Sequence, residues 1–310
     1  MGSSRFSADE WNRFAARSFA GKTKHDVLNT HGMVAANDPA KLKNGVRKSR
    51  DSAVNPRSTP IIIAGDVTGS MDELAYLVLK ESLPATALEI YSRQPVTDPH
   101  ILVGAIGDVE CGDRAPFQAT QFEAGATELG TQTQALYVER GGGGNSSESY
   151  HLPWYFAAMH TSTDAFEKRG EKGILFTYGD EGVPPTLTRA QIARVFGTTA
   201  ERDYTTAELL AMARRSWDVY HLVILEGSHA RCHPQVLDEW RALLGQHAIP
   251  VDDYTRLGEI IVSILQVRQG HDKDAVAASW SGDTSVVVRS ALRSLTMGAG
   301  VDAGAGVVAL

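Results

Sequence analysis

Pro60-Ile61-Ile62-Ile63-Ala64-Gly65-Asp66-Val67-Thr68-Gly69-Ser70-Met71 is the stretch on which the fold turns. Its first half is a continuous, β-branched apolar run, the pattern of a strand covered on both faces and therefore of a parallel sheet set between helices. Its second half turns abruptly polar. A helical pattern follows over residues 72–91, with Leu74, Leu77, Val78, Ser82 and Leu83 on one face and a kink expected at Pro84.

The alternation repeats along the chain. Ile101-Leu102-Val103-Gly104-Ala105-Ile106 reads as a second strand and Gly173-Ile174-Leu175-Phe176-Thr177-Tyr178 as a third, with residues 219–225 a fourth and 249–251 a short fifth. Helices are expected over residues 149–169 despite Pro153, and over 188–196, 206–217, 234–244 and 254–267. Thr188 and Thr206 open and cap two of them. Residues 110–148 are polar and Gly-rich, with one short element at 135–139. This order predicts the α/β class: a doubly wound, mostly parallel sheet flanked by helices, over residues 59–269. Residues 1–58 read as an N-terminal arm, partly helical at 8–19, and residues 270–310 as a Gly- and Ala-rich C-terminal extension with one helix near 284–296.

The chain has 310 residues, 43 % hydrophobic and 22 % charged, and 30 Lys plus Arg against 37 Asp plus Glu give a net charge of −7. Such a balance argues against nucleic acid as a partner, because no basic excess exists to displace counterions from phosphates. The basic group Lys41, Lys43, Arg47, Lys48, Arg50 and Arg57 reads as a solvated face of the arm. Cys111 and Cys232 are too few for a disulfide framework and suit a reducing compartment. The start carries no apolar leader and no run reaches the length of a membrane span, so the expectation is a cytoplasmic protein with no membrane partner.

In doubly wound sheets ligands bind outside the carboxyl ends of the strands. The first strand ends on Asp66, Thr68 and Ser70, the second on Gly107-Asp108, the third on Gly179-Asp180-Glu181. Helix capping by Thr68 or Ser70 accounts for one hydroxyl but not for carboxylates ending the neighbouring strands. An all-oxygen set without nearby Cys or His suits a hard cation: Mg²⁺ first, with Ca²⁺ or Mn²⁺ as alternatives.

The segment Ile61-Ile62-Ile63-Ala64-Gly65-Asp66-Val67-Thr68-Gly69-Ser70-Met71-Asp72-Glu73-Leu74 resembles the first strand and metal-ion-dependent adhesion site of von Willebrand factor A (vWA) domains. That site has the pattern Asp-x-Ser-x-Ser, and Thr68 replaces its first serine. The resemblance covers residues 60–268 and implies a vWA, Rossmann-like fold. It implies metal ligation by Asp66, Thr68 and Ser70, by Glu148 from the second-loop segment Gly141-Gly142-Gly143-Gly144-Asn145-Ser146-Ser147-Glu148-Ser149, and by Asp180 from the third loop. There Tyr178 stands where the family has an aspartate. Asn145 would line the loop, and Asp108 would support the site from behind.

With Asp66 and Glu148 both bound, a divalent ion is neutralised; with one of them acting through water, about one positive charge remains and favours an anionic outside ligand. The resemblance thus implies a non-enzymatic, metal-dependent protein-interaction module whose ion takes an Asp or Glu of a partner protein. Stand-alone bacterial vWA proteins, to which the chain is most similar, often act as adaptors beside AAA-type ATPases, which implies such a partner here.

The rival is a magnesium-dependent phosphoester hydrolase using Asp66, Asp108 and Asp180. Against it, Gly141 to Gly144 lacks the lysine of a phosphate-binding loop, and no Gly-x-Ser-x-Gly elbow occurs. Asp108, Glu110 and Asp113 beside Arg114 read as an ion-paired solvated loop rather than a second ion site, and His151 and His160 as surface or core residues of a helix. His229-Ala230-Arg231-Cys232-His233 reads as surface loop rather than a zinc fragment, and Trp154, Tyr155 and Phe156 as helix packing.

Overall fold

Ile61 and Ile63 belong to one buried apolar cluster, and Ile62 and Ala64 to a second on the opposite face. A strand whose successive side chains fill two different cores must lie in the middle of a three-layer sandwich. A computed structural model of the chain shows this; it describes Ser4 and residues 7–18, 29–67, 83–138 and 145–296. The central strands are β2 (Thr59–Asp66), β3 (Pro99–Ile106), β6 (Gly173–Gly179) and β9 (Trp217–Ile224). They alternate in the same way, Phe176 and Tyr178 facing one core and Leu175 the other.

The sheet has six strands in the order β10-β9-β6-β2-β3-β4, where β10 is Ala248–Val251 and β4 is Phe117–Ala119. All pairs are parallel except β3 with β4. The order reverses direction between β2 and β6, which places the ligand crevice outside their carboxyl ends. Register brings those ends level, since Asp66 pairs with Ile106 and Gly65 with Tyr178. A doubly wound α/β fold is therefore what the chain adopts.

One face is covered by α1 (Ala8–Ser18), α2 (Leu83–Arg93), α3 (Ala126–Gln134), α10 (Leu257–Arg268), α11 (Lys273–Ala278) and α12 (Asp283–Ala291). The other carries α4 (His151–Met159), α6 (Arg189–Phe196), α7 (Thr206–Ala213) and α9 (Val236–Leu244). Two short helices complete the set, α5 (Asp164–Arg169) and α8 (Ser228–Cys232), the latter adding Ala230 to the second cluster.

Several expected boundaries move for physical reasons. The helix expected over 149–169 is two: α4 stops at Met159, Thr161–Thr163 forms strand β5 beside β1 (Arg47–Ser49), and Thr163 then caps α5. Residues 110–148 are not one irregular stretch but hold β4 and α3, while the expected element at 135–139 contributes a single bridge, Tyr137 to Asn29. Thr188 caps α6 with a reciprocal bond to Gln191, but α7 is capped by Thr205, and Trp217 belongs to β9. The tail has two helices where one was expected, and Val276, Val288 and Leu292 enter the main core. Of the helix expected over 72–91, the part from Leu83 onward is helical; residues 68–82 lie outside the described residues.

The arm is not a uniformly solvated basic face. Arg47 is buried and donates to the carbonyls of Ala36 and Ala119, and desolvation lowers its pKa to about 10. With the bond from Ala119 N–H to Asn37 O, it closes the edge of β4. Arg50 pairs with Asp164 (2.7 Å) and Glu167 (2.6 Å), and Arg169 with Asp51 (2.7 Å), clasping the arm to α5.

Burial also fixes protonation. Desolvation lowers the pKa of both His100 and His151 to about 4, and His221 lies well below its ordinary value for the same reason. Below pH ~6.5 the unfolded chain takes up protons that these folded imidazoles refuse, so stability falls as pH drops from about 6.5 toward 4. His100 and His151 each contribute up to about 3 kcal/mol to that loss. Urea midpoints at pH 7 and pH 5 measure it, and His151→Gln, which cannot ionise, is expected to flatten the decline.

Candidate functional site

The carboxyl edge gathers acids from four separate stretches of chain. Asp66 ends β2, Asp108 follows β3, Glu148 precedes α4, and Asp180 and Glu181 follow β6; all five side chains are buried. The Glu148 and Asp180 stretches are tied by a bridge between Ser147 and Gly182 and by the bond from Glu148 N–H to Gly182 O at 3.0 Å. The second strand's end joins them through Ser149 N–H to Gly107 O at 3.3 Å.

Asp66 accepts a hydrogen bond from the Tyr150 hydroxyl at 3.2 Å. Tyr150 is wholly buried, its ring edge-on to His221 (4.8 Å) and Trp240 (5.6 Å). Burial and the charges of Asp66, Glu148, Asp180 and Glu181 hold its phenol well above the ordinary range, so it remains a donor. The hydroxyl reaches Asp66 only because residue 179 is glycine, since a Cβ there would collide with it. Tyr178 turns to the other face, where its ring fills the space over Gly65.

Asp180 accepts the His229 N–H at 2.8 Å through Oδ2, while its buried Oδ1 has no hydrogen-bond partner among the described residues. Glu181 Oε2 is in the same condition. Desolvation, reinforced by Asp66, Asp180 and Asp108, raises the Glu181 pKa to about 7. Neither of these acids, nor Asp108, forms an ion pair among the described residues.

Asp108 corrects the expectation of a solvated loop paired with Arg114. It is buried and takes bonds from Glu110 N–H (2.8 Å), Asn145 Nδ2 (2.8 Å) and Ser149 Oγ (3.4 Å), while Arg114 is exposed. Asn145 also donates to Glu110 (3.3 Å), so it lines the loop beside Asp108. Cys111, exposed on that loop, has its thiol pushed up to about 12, chiefly by its hydrogen bond to Asp108.

Asp66, Asp108, Glu148 and Asp180 are thus brought to one edge, with Asn145 beside them. Thr68 and Ser70 lie outside the described residues. Among the described residues, no group of three or more His, Cys, Asp and Glu side chains is placed to hold a metal ion by itself. The sequence places Glu181 at the end of the third strand but gives it no role of its own, and it does not single out Tyr150; the signal for the latter is a tyrosine two residues after Glu148. His151, His160, Trp154, Tyr155 and Phe156 are buried packing residues. His229 to His233 form the exposed helix α8 and its end rather than a loop, with the two imidazoles stacked at 4.4 Å.

No family model matches the sequence, and no curated protein matches it. Among solved structures, the chain is similar to the pilus adhesin SpaC of Lactobacillus rhamnosus GG in its open conformation, with a TM-score of 0.46 and 11 % identity over 70 % of this chain and 31 % of the adhesin. It is similar to a von Willebrand factor type A protein from Catenulispora acidiphila, with a TM-score of 0.37 and 14 % identity over 67 % of this chain and 42 % of that one. A third is proximal thread matrix protein 1 of the mussel byssus, at 0.40 and 9 % over 67 % and 47 %. The chain spans about a third to a half of the length of these structures. Likeness this distant assigns no residue a role, and the strand order above stands on this chain's own pairing.

Glu181 yields a prediction opposite in sign to the histidines. Its folded pKa is raised, so its ionised form costs stability above pH ~7, and the cost fades as pH falls toward 4.5. In chelator, Glu181→Gln is expected to melt at a higher temperature than wild type at pH 8 and at the same temperature at pH 4.5. Thermal unfolding followed by circular dichroism checks both.

Proposed function

We propose that this chain is a non-enzymatic, vWA-like protein-interaction module that takes a partner's Asp or Glu through a divalent cation. The observation that carries the reading is a set of buried carboxylates at the switch point, of which Asp180 and Glu181 each present an oxygen without a partner among the described residues. A buried carboxylate costs several kcal/mol unless it is paired or protonated, and like charges nearby make protonation or an added cation the available relief. Glu181 already leans toward protonation. The donors are all hard oxygens, which fits Mg²⁺, Mn²⁺ or Ca²⁺.

In this reading Asp66, Glu148 and Asp180 supply carboxylates, Thr68 and Ser70 hydroxyls, and Asp108 with Asn145 steadies the second stretch. The cation would supply positive charge and an open position for an outside acid. The sequence resemblance makes an AAA-type ATPase the first partner to test.

Asp66→Ala is expected to weaken Mg²⁺ binding, measured by calorimetry, by more than the roughly 10–100-fold that loss of an outer-shell contact costs. The same substitution, or chelator, should abolish pull-down of a partner by the full chain. Capture that persists in excess chelator overturns the reading. Phosphoester turnover by wild type that disappears in Asp66→Asn would replace it with the hydrolase.

A further inference from the structure

The opposite, amino edge of the sheet holds a cleft of about 270 Å³ in which the sign of the charge reverses. Three cations line it, Arg57, Lys172 and Arg268, against one carboxylate, Glu171, in a chain whose net charge is −7. They come from three separate places: the end of the arm, the loop between α5 and β6, and the last turn of α10. The Glu171 carboxylate is already taken, one oxygen by Arg57 and the other by Arg169 at 2.9 Å. Arg268 meets Asp218 through Nε at 2.7 Å and the Lys172 carbonyl through Nη2 at 3.1 Å, which leaves Nη1 bare. The Lys172 ammonium has neither an ion pair nor a hydrogen bond among the described residues. The frame around it is fixed. Gly170 ends α5 at φ 67°, Glu171 N–H is bonded to Ala165 O at 2.9 Å, and Thr59 at the start of β2 donates to the Thr97 carbonyl at 2.6 Å.

We infer that this cleft binds a phosphate dianion, free or as the end group of a small phosphomonoester, through Lys172, Arg268 and Arg57. Cations that converge from three elements repel one another, and the exposed pairs with Glu171 and Asp218 recover little of that cost. An anion seated among them removes the repulsion and gives the bare N–H groups acceptors. A carboxylate has two oxygens and one charge, which a single arginine fork satisfies. A phosphate carries about two charges over three or more oxygens, so it can meet an ammonium and two guanidinium groups together. Gln269, also in the lining, adds a neutral amide donor. The volume lies below the roughly 300–1,000 Å³ of sites for drug-sized ligands, which suits a phosphate or a short ester of it. No residue of the cleft belongs to the acidic corner, so the site is independent of the cation reading.

The test titrates the full chain with inorganic phosphate and, separately, with glycerol 3-phosphate, followed by amide NMR shifts. It is run at pH ~8, where the phosphate group carries about two charges, at constant ionic strength and in chelator so that no metal-held phosphate contributes. Wild type is expected to bind at least one probe saturably, with the largest shifts around Lys172 and Gln269; the tighter probe tells the free ion from the ester. Lys172 is exposed and holds no packing contact in the core, so Lys172→Gln keeps the fold. That substitution is expected to weaken binding by about tenfold or more, the worth of a hydrogen bond to a charged group, and Lys172→Arg to stay within about threefold of wild type. Wild type that binds neither probe saturably overturns the site. So does Lys172→Gln that binds as wild type does, or shifts confined to the acidic corner. Each of these results leaves the cation reading standing.

Discussion

Carboxylates repel one another most strongly where water is excluded, and this fold drives five of them into one dry corner. Elsewhere the molecule treats charge differently. In the clasp between the arm and α5, Asp51, Asp164, Glu167 and Glu171 each meet an arginine, and Lys168 joins Asp164. At the carboxyl edge, Asp108, Asp180 and Glu181 meet no lysine or arginine among the described residues, although the chain has 30 such residues to place. Charge that is neutralised internally serves architecture. Buried charge left without a counterion costs free energy, which protonation or an added cation relieves.

The fold keeps that corner from collapsing by using aromatic rings as rigid spacers and glycines as the room they need. Tyr178 fills the space over Gly65 on one face of the sheet, and Tyr150 comes up against Gly179 on the other. Tyr178 stands two residues before Asp180 and Tyr150 two residues after Glu148, so the backbone of the crevice is wedged from two sides. Buried phenols are suited to this because the ring supplies packing area and the hydroxyl supplies one directed bond. His221 and Trp240 extend the wedge into the core, where side chains sit at crystal-like density and move little. The cost of concentrating negative charge is thus offset by two apolar clusters that span every strand of the sheet's centre.

How much of this could be read from the chain follows from where the information lies. Continuous apolar runs such as 61–64 and 101–106 announce strands buried on both faces, because no other element needs apolar residues at every position, and each was found within two residues of its true end. The doubly wound class and the convergence of Asp66, Asp108 and Asp180 on one edge follow from those runs, whereas Glu148 follows no strand and is reached only through the resemblance of its Gly-rich segment. Elements that owe their form to distant partners were not legible. The strand β5 exists because β1 of the arm pairs with it, and β4 because it closes an edge beside Asn37 and Arg47. The burial of Arg47 and Asp108 is likewise a tertiary property: local charge density suggested solvent, and carbonyls and amides far away in sequence supplied partners instead.

That an aspartate stands at position 180, and a tyrosine at 178, has a structural consequence. At 178 a side chain points into the core beneath the sheet, as Tyr178 does. Two residues later the chain has left β6, and the carboxylate of Asp180 can reach the start of α8 and accept the His229 N–H. Its neighbour Glu181 offers its carbonyl to Trp240 of α9. The stretch carrying Asp180 and Glu181 is therefore fastened to two helices at once, one through a charged side chain and one through backbone. Any ligand that draws the Asp180 carboxylate inward competes with the amide at the start of α8, a charge-assisted bond stronger than a neutral one. The half-buried His229 of that helix is joined to the acidic corner through its own backbone N–H.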